Sequence, residues 1–226
     1  MGKPVVGMAP GEEGILDEGV QQIDGWTVRL RQAEARGQPP ILMLHGWTGN
    51  EDSMWVFASR FPRYRTLAAP RGLYPAQPAG YGWQDFSRSQ GMPVRSFIPS
   101  VTKLLSWLNS SNFPGVDWSR FSVIGFSQGA ALGYCLALLH PDRVVSLVGL
   151  AGFVPDDAGL YLQGQPLSGI QAFVAHGRKD ELVSVEKARS SVEFLEKAGA
   201  QVSYCEDDVG PKLSVTCFKG LEAFLK

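Results

Sequence analysis

Apolar residues along this chain fall into short closed runs separated by glycine and proline, and the runs are of two kinds. Pro40-Ile41-Leu42-Met43-Leu44, Phe121-Ser122-Val123-Ile124-Gly125, Val144 to Leu150 and Ile170 to Ala175 are almost continuously apolar, the pattern of strands buried on both faces. Tyr64 to Ala69 and Gln201 to Cys205 read as two further strands. Gly25-Trp26-Thr27-Val28-Arg29-Leu30 alternates instead, which predicts a half-exposed antiparallel edge strand. Between the strands the period changes. Gln128 to Leu139 carries small and apolar residues at helical spacing. Ser184 to Lys197 puts Val185, Ala188, Val192 and Leu195 on one stripe, with Glu186, Lys187, Glu193 and Glu196 around it and Gly199 just beyond. Strands alternating with helices predict an α/β class with a mostly parallel central sheet and helices on both faces. With 226 residues and no internal repeat, the expectation is one domain over 1–226, its first twenty residues irregular.

Composition removes several classes of function. Hydrophobic residues are 44% and charged residues 19%, which excludes a disordered chain or a collagen-like repeat. Lys plus Arg is 21 against 22 for Asp plus Glu, so a net charge of −1 offers no general attraction for nucleic acid or an anionic membrane. No run approaches 18 apolar residues, and Met1 to Gly14 lacks the apolar core of a signal peptide; no stable membrane insertion is expected. Val6 stands where a myristoylation motif needs Ser or Thr. Cys135, Cys205 and Cys217 form no CxxC pair, which predicts neither a disulfide framework nor a zinc site and points to a reducing, cytoplasmic setting.

Candidate chemistry begins at Gly125-Phe126-Ser127-Gln128-Gly129. This G-x-S-x-G follows a predicted strand and opens a predicted helix, where flanking glycines permit a tight turn that exposes the Ser127 hydroxyl at a helix N-terminus. A capped glycine-rich turn is the bland alternative, and the strand and helix on either side weigh against it. Acyl transfer also needs amides for an oxyanion. Gln128, next to the nucleophile, and Trp47, in the glycine-rich Leu44-His45-Gly46-Trp47-Thr48-Gly49-Asn50 turn, stand where such donors belong. His45 is expected to brace that turn. Val174-Ala175-His176-Gly177-Arg178-Lys179-Asp180-Glu181 places Asp180 just past another strand, able to orient a histidine, although an aspartate in such a turn can equally be solvated. The order nucleophile, acid, histidine calls for a histidine near the chain end, and none follows His176.

These motifs, together with Ala69-Pro70-Arg71-Gly72, Trp83-Gln84-Asp85, His140-Pro141-Asp142-Arg143 and Gly152-Phe153-Val154-Pro155, resemble in order the phospholipase/carboxylesterase family of small α/β hydrolases, which includes bacterial carboxylesterases and acyl-protein thioesterases. The resemblance spans nearly the whole chain. It implies an α/β-hydrolase fold without a large lid, Ser127 as nucleophile, Asp180 as triad acid, the amides of Trp47 and Gln128 as oxyanion hole, and no metal or cofactor. It leaves His45, His140 and His176 outside the triad. The family's base sits in a Gly-His pair after the last strand, and here Gly210-Pro211-Lys212-Leu213-Ser214 holds that register, with Pro211 in the histidine's place.

Without an imidazole nothing accepts the Ser127 proton, so turnover is expected to be impaired. Lys212 would need burial or nearby cations to be neutral, Glu206, Asp207 and Asp208 are weak bases in a solvated turn, and His45 is committed to its loop. The segment from Gly152 to Ile170 is too short for a helical lid, which predicts an open cleft suited to short-acyl esters. Trp47, Trp83, Phe86, Phe153 and Leu182 are candidates for its apolar wall; Trp47 is the preferred one, and the others could equally be core. Trp107 and Trp118 are assigned to packing. The expected partner is a small-molecule ester, for a monomer or homodimer. A lysophospholipase or acyl-protein thioesterase, and a non-catalytic binder of acyl ligands, stay open as alternatives.

Overall fold

A computed structural model of the chain describes residues 18–34, 37–87 and 91–225. The reading of Met1 to Gly14, and all but the last three residues of the expected irregular segment, lie outside the described residues. Those last three begin a strand, β1 (Glu18–Ile23), which pairs antiparallel with β2 (Trp26–Arg31).

Eight strands form one sheet. Beyond β1 and β2 they are β3 (Ile41–Leu44), β4 (Leu67–Pro70), β7 (Phe121–Phe126), β8 (Val144–Leu150), β9 (Gln171–Gly177) and β10 (Gln201–Asp207), in the order β1-β2-β4-β3-β7-β8-β9-β10. All pairings from β4 to β10 are parallel, and those of β2 are antiparallel. A small ribbon, β5 (Tyr74–Pro75) with β6 (Tyr81–Gly82), lies outside the sheet. The alternating strand is therefore not the edge. β2 is paired on both sides, Val28 opposite Gln21 and Pro70, and the exposed margin is β1, whose residues alternate between exposed and half-buried.

Period two explains why the central strands read as unbroken apolar runs. Leu42 and Leu44 point into one core with Phe97, Leu104, Phe121 and Leu136, whereas Ile41 and Met43 point into another with Met54, Phe61, Ile124 and Leu221. The first core is covered by α1 (Val94–Trp107), α2 (Gln128–Leu139) and α3 (Val185–Lys197), the second by a 3-10 turn (Trp55–Arg60) and α4 (Val215–Phe224). A fully buried Leu or Phe in such a layer contributes roughly 1.5–3 kcal/mol. Trp107 and Trp118 are buried in the first core, Trp107 stacked on Trp26 at 5.1 Å.

The cysteine expectation is overturned. Cys205 on β10 and Cys217 in the first turn of α4 form a disulfide, their Cα atoms 5.5 Å apart, while Cys135 is free and buried. Twelve residues separate the pair in sequence, but the chain leaves β10, turns and returns as α4 against the same strand, so the two sulfurs meet. The ground for a reducing compartment goes with this correction. No helix among the described residues is long and apolar enough to cross a membrane.

Candidate active site

Because β3, β7, β9 and β10 run parallel, the loops that follow them emerge at one edge of the sheet, where sites of open α/β sheets form. The loop after β7 is the most constrained. Ser127 has φ 51° and ψ −116°, left-handed backbone that a serine adopts only under compulsion, and its amide donates to Leu150 O at 2.8 Å. The compulsion comes from close packing. A β-carbon on Gly125 would stand 2.4 Å from the backbone of Gly129, and one on Gly129 would stand 2.2 Å from Leu44 O. Glycine at both positions lets the turn fold onto α2 and lets α2 abut the end of β3. Ser127 is left half-buried at the helix start.

The loop after β3 meets that turn. A β-carbon on Gly46 would lie 3.3 Å from Ser127 Cβ and 3.0 Å from the Phe126 ring, so Trp47 follows directly on a contact with the Ser127 turn. Among the described residues no group accepts a hydrogen bond from the backbone amide of Trp47 or Gln128. The Gln128 side chain is buried and holds the residue just after β6: its Oε1 accepts from Trp83 N at 2.9 Å.

His45 is a brace. Its Nε2 accepts from Gly72 N at 2.8 Å, which leaves Nδ1 as the protonated nitrogen donating to Gly46 O at 2.7 Å, and Trp83 Nε1 donates to His45 O at 2.7 Å. Burial drives the imidazole pKa down to about 4, so the ring is neutral and both nitrogens are engaged. A second brace went unread in the sequence. Arg71 grips Glu51 through two hydrogen bonds of 2.6 Å and stacks on the Tyr81 ring at 4.8 Å, tying the loop after β3 to the one after β4. The guanidinium holds the Glu51 carboxyl below its ordinary pKa, and the carboxylate raises that of Arg71. Only Arg71-Gly72 within the Ala69–Gly72 motif hinted at it.

Past β9, Asp180 is buried. Its Oδ1 accepts from Leu182 N at 2.9 Å and Val183 N at 3.0 Å, while Oδ2 has no hydrogen-bond partner among the described residues. His176 does not supply one: its Nε2 is 3.7 Å away and faces Val183 O at 2.8 Å. The chain after β10 runs beside this turn. Arg178 N donates to Asp207 O at 2.8 Å and Lys179 N to Val209 O at 2.9 Å, and a β-carbon on Gly177 would strike Gly210 O at 2.0 Å. Residue 211 thus follows directly on the stretch bonded to the 178–179 backbone, and it is Pro211, exposed and without a proton to give or take.

The described acidic side chains beside Pro211 are engaged by other groups. Glu206 is gripped by Nε and Nη2 of Arg189 at 3.0 and 2.9 Å and accepts from Tyr204 Oη at 2.8 Å, interactions that take its pKa down to about 2. Asp208 pairs with Lys179 at 2.6 Å, and the Asp207 carboxyl is lowered by the Asp208 amide. Lys212 is exposed.

The expected apolar wall is largely redistributed. Trp83 is fully buried as a support for His45, and Phe153 is buried in the first core. Leu182 is 86% exposed, since the Asp180 turn points it outward. Trp47 is half-buried, edge-on to Phe86 at 4.5 Å, and does line a cavity.

The phospholipase/carboxylesterase family model matches residues 29–226. The chain is 25% identical over 179 residues to acyl-protein thioesterase 1 of Yarrowia lipolytica, covering 72% of this chain and 78% of that one. It is 21% identical over 180 residues to an Oryza sativa subsp. japonica protein named "Probable inactive carboxylesterase", covering 73% and 74%. The crystal structure of the Bacillus cereus carboxylesterase superposes with a TM-score of 0.79 at 19% identity over 89% of this chain and 94% of that one, a likeness of fold. An α/β sheet with a serine turn after its fifth strand in sequence, matched by the family over residues 29–226, has one reading: the chain belongs to the phospholipase/carboxylesterase family of α/β hydrolases.

Proposed function

We propose that this chain is a serine carboxylesterase framework for short-acyl esters, built to form an acyl-enzyme on Ser127 and lacking the base that would make it fast. In the first step the Ser127 hydroxyl adds to the ester carbonyl, and the negative oxygen is met by the amides of Trp47 and Gln128. Collapse expels the alcohol and leaves an acyl-serine. Water then attacks, and the carboxylic acid departs with the hydroxyl restored. Each half needs one proton taken from the attacking oxygen and one given to the leaving oxygen. Asp180 is read as the group that would orient the carrier of that proton.

The observation that carries the reading is the left-handed Ser127, compressed between Gly125 and Gly129 beside the Gly46 turn. The unpartnered Asp180 Oδ2 beside the loop of Pro211 supports the role of the acid. The same two residues favour a second reading, a non-catalytic protein that binds acyl ligands, and the rice relative named inactive accords with it.

Hydrolysis of p-nitrophenyl acetate and butyrate separates the readings. Loss of the histidine from a Ser-His-Asp unit costs about 10⁶-fold in kcat, so the native chain is expected near background. Pro211→His is expected to raise kcat/KM by about 10³-fold or more, and Ser127→Ala in that background to abolish the gain. A folded Pro211→His chain with no Ser127-dependent gain refutes the triad and leaves the binding protein.

A further inference from the structure

The loop between β10 and α4 is tied at its two ends by the Cys205–Cys217 bond and lightly held between them. It meets the Asp180 turn through the Lys179 N to Val209 O hydrogen bond, the approach of Gly177 to Gly210 O, and the Lys179–Asp208 pair, both of whose side chains are exposed. An exposed pair contributes little and is screened by salt. Past Gly210 the loop stands open: a β-carbon there would find its nearest atom at 3.7 Å, and Pro211 and Lys212 are exposed. The helix that follows leans on the same bond. Of the ten residues of α4, Cys217 and Leu221 are the buried ones, so one of the two side chains that seat it is half of the disulfide.

The two sulfurs are unequally placed. Cys205 is half-buried on β10, the last strand of the sheet, whereas Cys217 is 2% exposed. A thiolate from solution therefore meets Cys205 first, and Cys217 is the sulfur it displaces. Cys135 lies in the first core and the bonded pair in the second, so the third thiol does not compete for either.

We propose that Cys205–Cys217 is a redox-sensitive clasp, opened by a dithiol reductant, whose opening frees the loop over 208–214 and the first turn of α4 while the sheet and the Ser127 turn stay closed. One thiolate of the reductant attacks Cys205 Sγ, the bond between the sulfurs breaks, and Cys217 leaves as a thiolate that takes a proton. The second thiolate of the reductant then displaces Cys205 and closes its own disulfide. Two electrons pass to the protein, which gains two thiols. That this loop governs turnover, through position 211 beside Asp180, rests on the function proposed above; the clasp itself does not.

The full chain, equilibrated with oxidised glutathione and then denatured, should titrate one thiol, and three after treatment of the folded chain with dithiothreitol. Reduction is expected to speed tryptic cleavage after Lys212 about tenfold or more, and to speed hydrogen exchange over 208–217 while leaving α2 unchanged. The double variant Cys205→Ser with Cys217→Ser should be cut fast without reductant and ignore it, and Cys135→Ser should respond as the native chain does. Three thiols before reduction, a bond that dithiothreitol leaves intact in the folded chain, cleavage that does not accelerate, or exchange that rises equally in α2 each overturns the proposal. In Pro211→His, dithiothreitol should lower kcat for p-nitrophenyl butyrate about tenfold after subtraction of the Ser127→Ala rate, and oxidised glutathione should restore it. An unchanged kcat beside a loosened loop overturns the tie to turnover. No Ser127-dependent rate in either redox state refutes the esterase reading and leaves the clasp standing on cleavage and exchange.

Discussion

The turn from Phe126 to Ala130 and the loop from Glu206 to Thr216 would carry the two ends of one proton transfer, and they are built in opposite ways. In the first, backbone presses on backbone: Gly125 against Gly129, Gly129 against Leu44 O, with Ser127 forced left-handed between them. In the second, the loop meets its neighbour at Gly177 on Gly210 and through hydrogen bonds from Arg178 N to Asp207 O and Lys179 N to Val209 O, and is further held by surface charge pairs and by the Cys205–Cys217 bond at its two ends. Close packing tolerates almost no substitution. A loop held by charges and a covalent clasp keeps its path while its individual residues change. The two are held independently, so a residue at position 211 can change while the close packing around Ser127 stays as it is.

The sharpest challenge to that contrast is catalytic. If Asp180 Oδ2 is an acceptor kept for an imidazole, Asp180→Asn in the Pro211→His background should remove about 10⁴-fold of the restored kcat with little change in KM. Ester kinetics with p-nitrophenyl butyrate checks this, and an unchanged rate would separate Asp180 from the proton path.

Next in size is a stability comparison between the two loops. Gly129→Ala should cost about 3 kcal/mol or more, because its new methyl meets backbone that cannot yield. Gly210→Ala, whose methyl would find its nearest atom at 3.7 Å, should stay within about 0.5 kcal/mol. Urea denaturation of both variants would show it, and equal losses would mean that the loops are not built differently.

The smallest effect is a pH dependence, and it sharpens the same contrast. His45 has its pKa lowered from 6.5 to about 4 by burial, so the unfolded chain takes up a proton at a pH where the folded one does not. Its contribution is complete above pH 6.5 and declines as pH falls toward 4, a loss of at most about 3 kcal/mol. Glu206, lowered to about 2, contributes above pH 4.5 and loses its effect only as pH falls toward 2. Melting temperatures from pH 8 to 3 should thus fall first through the His45 brace, and His45→Gln should flatten the part between 6.5 and 4.

How far these features could be read in advance depended on the range of the interactions. Ser127 and its glycines lie within five residues, and a strand before and a helix after them are visible in period alone, so the elbow was legible. α2 begins and ends at the residues its pattern indicates, Gln128 and Leu139. The alternation of β2 does not reveal that it is an inner strand, since alternation reports which side chains face solvent or core and says nothing of a further strand pairing outside it. Trp83 and Phe153 are buried and do not show it in sequence, because an aromatic residue near a motif has the same letter in a core as in a pocket.

By itself, then, the order of residues determined the α/β class, the serine turn and the absence of a histidine after position 176, all of them local or compositional properties. Tertiary structure alone decided the clasp between Cys205 and Cys217, the Glu51–Arg71 brace and the solitary oxygen of Asp180. Each of those joins separate elements, and two residues distant in sequence become neighbours only through the packing of everything between them.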